Sequence, residues 1–463
     1  MSEKPRLKRV LGLGTMTLFT VGTILGAGIY ALIGINASLC GPMMWLPFLL
    51  GSVYSISIGL GYAEMASMFP KAGASYVYVE RGFETISPRL ARFISFILAW
   101  NVTFFAIPMA VAAITLAFGS YLSIFVDIPP TLAALVSTIL LSVVNWIGVK
   151  ESAVAAAIMT LVEVTGLVLV IALGLFFGSV RPDYLTAPPG GMEGLIRAFA
   201  MVLFTYGGYE AMVSLAEEAK NPEKTIPKAI MLGISIVTIL YVGVSLAVTR
   251  LAPIQAIAGS TSPIADAMKG VFGGAAVPLF SFIGCFATLN TALAWLVANS
   301  RTMYGMADEG VLPTALARLD AKRSTPWVTI IVTAIITLAC TLIGEVEIIV
   351  YGNMIASLLL TAVGCISLVI LRVRAPDRPR PFKVPLAVRN IPIPIVACIP
   401  IAVFIVLSLP IVSWIPFLIM LTIGALLYPV LSRRTAHPQI RQSQINSYYS
   451  ATVIPSDRKE RSD

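Results

Sequence analysis

Gly22-Thr23-Ile24-Leu25-Gly26-Ala27-Gly28-Ile29-Tyr30 and Phe204-Thr205-Tyr206-Gly207-Gly208-Tyr209-Glu210 decide the fold of this 463-residue chain. Each stretch lies inside a long apolar run, where a continuous helix would satisfy every backbone amide, yet each carries glycines that break helical regularity. In hydrocarbon, irregular backbone is tolerated only where it faces protein or a water-filled cavity. Interrupted helices at corresponding positions of two halves mark a substrate site at the membrane midplane. Glycines also serve close helix packing, but the pairing of the two stretches, with an acid following the second, favours a site.

The surrounding composition agrees with a membrane setting. Hydrophobic residues make up 57% of the chain, charged residues 12%, and the mean hydropathy is +0.89. Soluble domains carry about twice that charged fraction, so a water-soluble fold is excluded. Apolar stretches bounded by charge or by Pro/Gly predict an all-α membrane protein of twelve transmembrane helices. The expected organisation is an N-terminal segment (1–11), a transport core (12–371), a basic loop (372–392), two further spans (393–432) and a polar tail (433–463) expected to be largely disordered. Within the core, spans one to five cover about 12–178 and spans six to ten about 194–371, with helices one and six broken. The two broken helices then lie five spans apart, as an inverted repeat requires.

The formal net charge of +9 acquires its meaning from distribution. If both termini face the cytoplasm, the inner segments hold 28 of the 32 Lys and Arg, leaving Arg181, Arg197, Arg250 and Lys269 outside. That asymmetry is the positive-inside pattern. It places a multi-pass protein in the plasma (inner) membrane with cytoplasmic termini, makes the lipid bilayer its surroundings, and leaves no case for nucleic acid. No signal peptide is expected, because Lys4, Arg6, Lys8 and Arg9 precede a span without a small-residue cleavage site. Cys40, Cys285, Cys340, Cys365 and Cys398 are far apart and read as small core hydrophobes.

A break has chemical use. The following half-helix offers amide donors and a partial positive charge to a carboxylate, while freed carbonyls of the preceding half-helix suit an ammonium or a cation. A zwitterionic amino acid carries both groups on one carbon.

The run Gly22 to Tyr30 resembles the first-helix glycine motif of the amino acid-polyamine-organocation transporters, and Phe204 to Ile230 resembles their sixth-helix signature. Ala287 to Pro313 is similar to the eighth helix and its loop, and Pro70 to Tyr78 and Gly148 to Ser152 add local matches. The resemblance implies a five-plus-five inverted-repeat core working by alternating access. Carried over, the substrate carboxylate meets the backbone around Gly26, Ala27 and Gly28. The amino group meets carbonyls near Thr23, Ile24, Phe204 and Gly207. Phe204 takes the place of an occluding aromatic, and Tyr206 and Gly207 border the side-chain pocket.

Acids within the spans are expected at Glu64, Glu163 and Glu210, with no Lys or Arg deep in any span. An ionisable group at membrane depth is a functional-site hypothesis. Glu64 is read as interfacial, ordering the inner loop, and Glu210 as capping or bonding the broken backbone. Glu163 occupies a position where some proton-driven relatives carry a lysine, so the resemblance cannot supply its mechanism. A buried carboxyl that is held neutral more easily than charged is suited to proton coupling, although an interhelical hydrogen bond is the plainer role. Sodium is the second possible driver, through first-helix carbonyls and the hydroxyls of Thr288 or Thr291, unless these bond back to their own helix.

No cofactor or metal is expected; proton, or less favourably sodium, serves as the coupling ion. The single histidine, His437, lies in the tail, and the sequence has no HExxH motif, so an enzyme is not expected. The reading is a secondary active transporter of an amino acid, neutral favoured, with a cationic amino acid or polyamine transporter, an exchanger, or a transporter-like sensor as alternatives. The loops 71–92 and 217–228 read as solvated, with the resemblance making them gate elements.

Overall fold

The computed structural model describes residues 7–260, 263–342, 346–409 and 411–434. Long helices dominate, because apolar sequence in a membrane leaves the backbone no other way of bonding its own amides. They are α1 (Leu13–Cys40), α2 (Trp45–Met68), α3 (Ser75–Glu84), α4 (Pro88–Asn101), α5 (Ile107–Leu122), α6 (Pro130–Ile147), α7 (Val149–Phe177), α8 (Gly191–Thr205) and α9 (Tyr209–Val213). Then follow α10 (Pro222–Leu251), α11 (Ile254–Ile257), α12 (Pro263–Phe272), α13 (Ala276–Asp308), α14 (Trp327–Thr341), α15 (Val346–Arg374), α16 (Ile393–Ser408) and α17 (Trp414–Arg434). A two-stranded hairpin, β1 (Ala387–Val388) and β2 (Ile391–Pro392), precedes α16.

Among the described residues, nine helical stretches are long and apolar enough to cross a membrane, while the apolar helices α14 and α16 are shorter. Starts follow local chemistry: proline occupies the first turn of α4, α6 and α10, where its missing N–H has no partner to lose. Ser87 accepts from the Leu90 amide at the head of α4. Between α4 and α5 the chain makes a π-helical turn, Val102–Ala106. Asn299 on α13 donates to Thr103 O at 3.0 Å and Asn353 on α15 donates to Ala106 O at 2.9 Å, so two other helices satisfy carbonyls in this turn.

The core is built around α1 and α13. α1 packs against α7, α8, α10 and α13, and α13 also touches α5, α6 and α14. All five cysteines are free and buried.

Several expectations are corrected. Arg301 and Arg372, two of the 28 cations assigned to the inner segments, lie within helices and are fully buried. The loops read as solvated are folded: residues 75–84 form α3 with Tyr76, Tyr78 and Glu80 buried, and Glu218 is buried after α9. The segment 372–392 begins as helix and ends in the hairpin. Of the tail, residues 433 and 434 close α17, and 435–463 lie outside the described residues, as do 1–6 of the N-terminal segment.

Candidate functional site

The two interruptions are real breaks, and they touch. α1 leaves helical geometry at Gly26, with φ 27 and ψ −157. The sixth-span chain stops at Thr205 and restarts as α9 after Gly208, whose φ is 121. Both conformations are glycine territory. A Cβ on Gly26 would overlap Thr291 Oγ1. One on Gly208 would stand 2.9 Å from the Thr23 carbonyl oxygen, and one on Gly28 would stand 2.7 Å from Thr205 Cγ2. The glycines therefore let the two backbones meet.

Three of the neighbouring helices place a hydroxyl against a carbonyl of α1. From α7, Thr160 Oγ1 lies 3.3 Å from Leu18 O, shares its proton with Ala156 O at 2.8 Å in its own helix, and accepts from Asn290 Nδ2 at 2.8 Å. From α13, Thr291 Oγ1 donates to Gly22 O at 3.5 Å. From α10, Tyr241 Oη reaches Ile24 O at 2.7 Å and Leu25 O at 3.0 Å. Tyr241 is bracketed by Phe48 and Tyr206, with ring centroids 5.5 and 5.1 Å away, and Tyr206 Oη donates to Phe48 O.

Glu163 on α7 faces this region. Its side chain is fully buried; its carboxyl oxygens make no hydrogen bond of ordinary geometry among the described residues, and the Asn290 amide stands as a donor to them. The Asn290 amide and the hydroxyls of Tyr30 and Tyr241 lie within its electrostatic reach. Tyr30 Oη is buried and unpartnered among those residues. Unpartnered buried polar groups are unfavourable, and their gathering beside a helix break is the mark of a site.

The remaining expected residues are engaged as follows. Glu210 bonds side chains rather than broken backbone: its Oε1 accepts from Tyr62 Oη at 2.5 Å and Thr361 Oγ1 at 2.8 Å, and Tyr62 Oη also bonds Ser75 Oγ at 3.1 Å. It borders a cavity lined by Ala99, Val102, Thr103, Trp295, Ala298 and Leu360. Glu64 is fully buried and ties the 372–392 loop to α2, the ordering role expected of it: its oxygens take Arg372 Nε at 3.0 Å, Arg372 Nη2 and the Val384 N–H at 2.7 Å, and pair with Arg380 Nε at 3.3 Å. Thr288 and Thr23 bond back to their own helices, to Gly284 O and Phe19 O. The Ile24 carbonyl, expected to face an ammonium, is engaged by Tyr241. The side chains of Ala27 and Phe204 lie outside the described residues, although their backbones continue the helices on either side.

Tyr241, Asn290, Thr160 and Trp295 were not singled out by the sequence. A tyrosine or asparagine deep in an apolar run was the available signal, since its polar tip needs a partner there.

Residues 11–429 match the model of a family described as amino acid permease. The chain belongs to the amino acid permease family. It is 27% identical to the branched-chain amino acid permease BcaP of Bacillus subtilis (strain 168), over 95% of this chain and 96% of the relative. It is 28% identical to the methylthioribose transporter of the same bacterium, over 94% and 95%. It is 30% identical to the human cystine/glutamate transporter, over 83% of this chain and 78% of that one. The three names differ in substrate, while the similarity to each spans most of both chains. The chain is thus a multi-pass membrane protein whose relatives transport small molecules.

Proposed function

We propose that this chain is a secondary active transporter that moves a neutral amino acid across the plasma membrane by alternating access, coupled to protons through Glu163. Five-plus-five inverted repeats within twelve crossings, with both termini cytoplasmic, form the architecture of this reading, supported by the charge asymmetry and the five-span separation of the breaks. One observation carries it: the buried carboxyl of Glu163 lies within electrostatic reach of Tyr30 and of Tyr241, the residue that bonds the Ile24 and Leu25 carbonyls just before the break in α1. A carboxylate suits the amides after Gly26, and an ammonium suits the carbonyls before it. Among the described residues, the cavity beside Glu210 is lined by no basic side chain that would neutralise an acidic substrate. Glu210 at that wall supports a second reading, a cationic amino acid or amine. Thr291, the only one of the two expected hydroxyls bonded to α1, supports sodium more weakly, because it also bonds Ala287 O in its own helix.

Purified protein in proteoliposomes, given labelled amino acids under proton and sodium gradients imposed separately, tests this. Glu163→Gln is expected to abolish uptake driven by a pH gradient while sparing exchange. Wild-type coupling in that variant would overturn the role of Glu163, and inhibition by arginine or glutamate alone would overturn the neutral substrate.

A further inference from the structure

The segment joining α15 to α16 is a built structure. β1 and β2 pair Ala387 with Pro392 and Val388 with Ile391. The turn residues Arg389 and Asn390, with φ 48 and 69, are both left-handed, as a two-residue hairpin turn requires. The hairpin is fastened to the bundle: Asn390 Nδ2 donates to Arg372 O at 2.5 Å, Arg372 Nη2 donates to Val384 O at 3.1 Å, and the Val384 N–H donates to Glu64.

Arg372 and Arg380 are engaged by Glu64, and Arg378 lies over the Phe69 ring at 4.6 Å. Lys383 and Arg389 remain exposed, and neither forms an ion pair among the described residues. Next to them Leu386 is 76% exposed and Val388 is 61% exposed. Rigid display of large apolar side chains to water is unfavourable in proportion to area. Leu386 O accepts from the N–H of Ile393, the first residue of α16, so the apolar pair continues into the exposed Ile393 and Val396 of that helix. Apolar side chains flanked by unpaired cations, at the end of an apolar helix, fit the boundary between acyl chains and anionic headgroups. Two large side chains make too small a patch for a stable protein interface.

We propose that the 387–392 hairpin seats in the inner leaflet, with Leu386 and Val388 at the acyl boundary and Lys383 and Arg389 holding anionic phospholipid headgroups.

The full chain carrying Val388→Cys and a nitroxide label, reconstituted in vesicles of phosphatidylcholine and phosphatidylglycerol, tests depth; labelling is selective because the five native cysteines are buried. Relaxation by oxygen and protection from a water-soluble nickel chelate are expected. Free access of the chelate would overturn the proposal, as would shielding from both reagents, the sign of a protein contact. Thermal-shift titration of the detergent-purified chain with phosphatidylglycerol tests charge: half-saturation is expected to need about five-fold more lipid for each of Lys383→Gln and Arg389→Gln. An unchanged titration, or equal stabilisation by phosphatidylcholine or inorganic phosphate, would overturn it.

Discussion

Arg301 shows how single residues meet the demands of a low-dielectric interior. Its guanidinium is fully buried, with Nε 3.4 Å from Glu218 and Nη1 donating to Asn145 Oδ1 and to Ser300 Oγ at 3.1 Å. Glu218 is itself 1% exposed. Removing one partner of a buried pair strands the other, at a cost of about 3–5 kcal/mol, whereas apolar replacement of both is far better tolerated. Arg301→Gln is therefore expected to lower the unfolding midpoint of the detergent-solubilised chain sharply, and Arg301→Met with Glu218→Met to lower it less. None of this was legible in sequence. The partners of Arg301 are 83 and 156 positions away, and a cation near the end of an apolar run reads as a loop charge. Glu163 was legible, because an acid in the middle of such a run is unusual wherever the chain folds.

Among elements, the broken first helix was the most readable and the π-helical turn the least. Gly26 and Gly208 announce themselves, since only glycine adopts those backbone angles without strain. Gly26→Ala combines that strain, about 1–3 kcal/mol, with overlap against Thr291 Oγ1. The expected result is a folded but less stable chain with amino acid uptake lost in proteoliposomes; wild-type uptake would show that the break tolerates a side chain. The turn at Val102–Ala106 contains neither Gly nor Pro, and its one local signal is Pro108 just beyond it, whose missing N–H leaves the Phe104 carbonyl without a helical donor. What stays hidden is that Asn299 and Asn353 on distant helices satisfy its carbonyls, which local pattern cannot reveal. The same limit hid Tyr241, whose role depends on α10 lying against α1.

Across the molecule, the end of the bundle that gathers the basic loops is closed by side chains from many elements. Glu217 accepts from the Ala72 N–H at 3.0 Å, Lys71 pairs with Glu309 at 3.4 Å, and Leu7, Ala72 and Tyr304 pack together. Burial pushes the Glu217 carboxyl above the usual carboxylate range, against the pull of the Ala72 amide and Lys71 and with the help of Asp308 and Glu218. The folded chain thus holds this proton more tightly than the unfolded chain does. Its stabilisation is present at low pH and is lost as pH rises through the raised value. Acidification should raise the protection of the residue 7–11 amides after correction for the intrinsic pH dependence of exchange, and Glu217→Gln should flatten that response. The helical class and the membrane setting were open to reading from composition. The closure was not, because the loops that form it carry the polar composition of solvated chain.

The N-terminal segment joins this closure through its main chain. Val10 and Leu11 N–H groups donate to Glu218 O at 2.9 and 3.0 Å, and the Lys220 N–H donates to Leu11 O at 2.8 Å. No side chain takes part in these three bonds, so the fastening places no demand on chemical identity except that a donor be present. Val10→Pro, which deletes a donor, should speed exchange at Leu11 and Lys220, while Val10→Thr should leave it unchanged. Such a tie is inherited as spacing rather than as residues: it can outlast the drift of every side chain around it, and an insertion between residues 11 and 13 would disturb it more than most substitutions there.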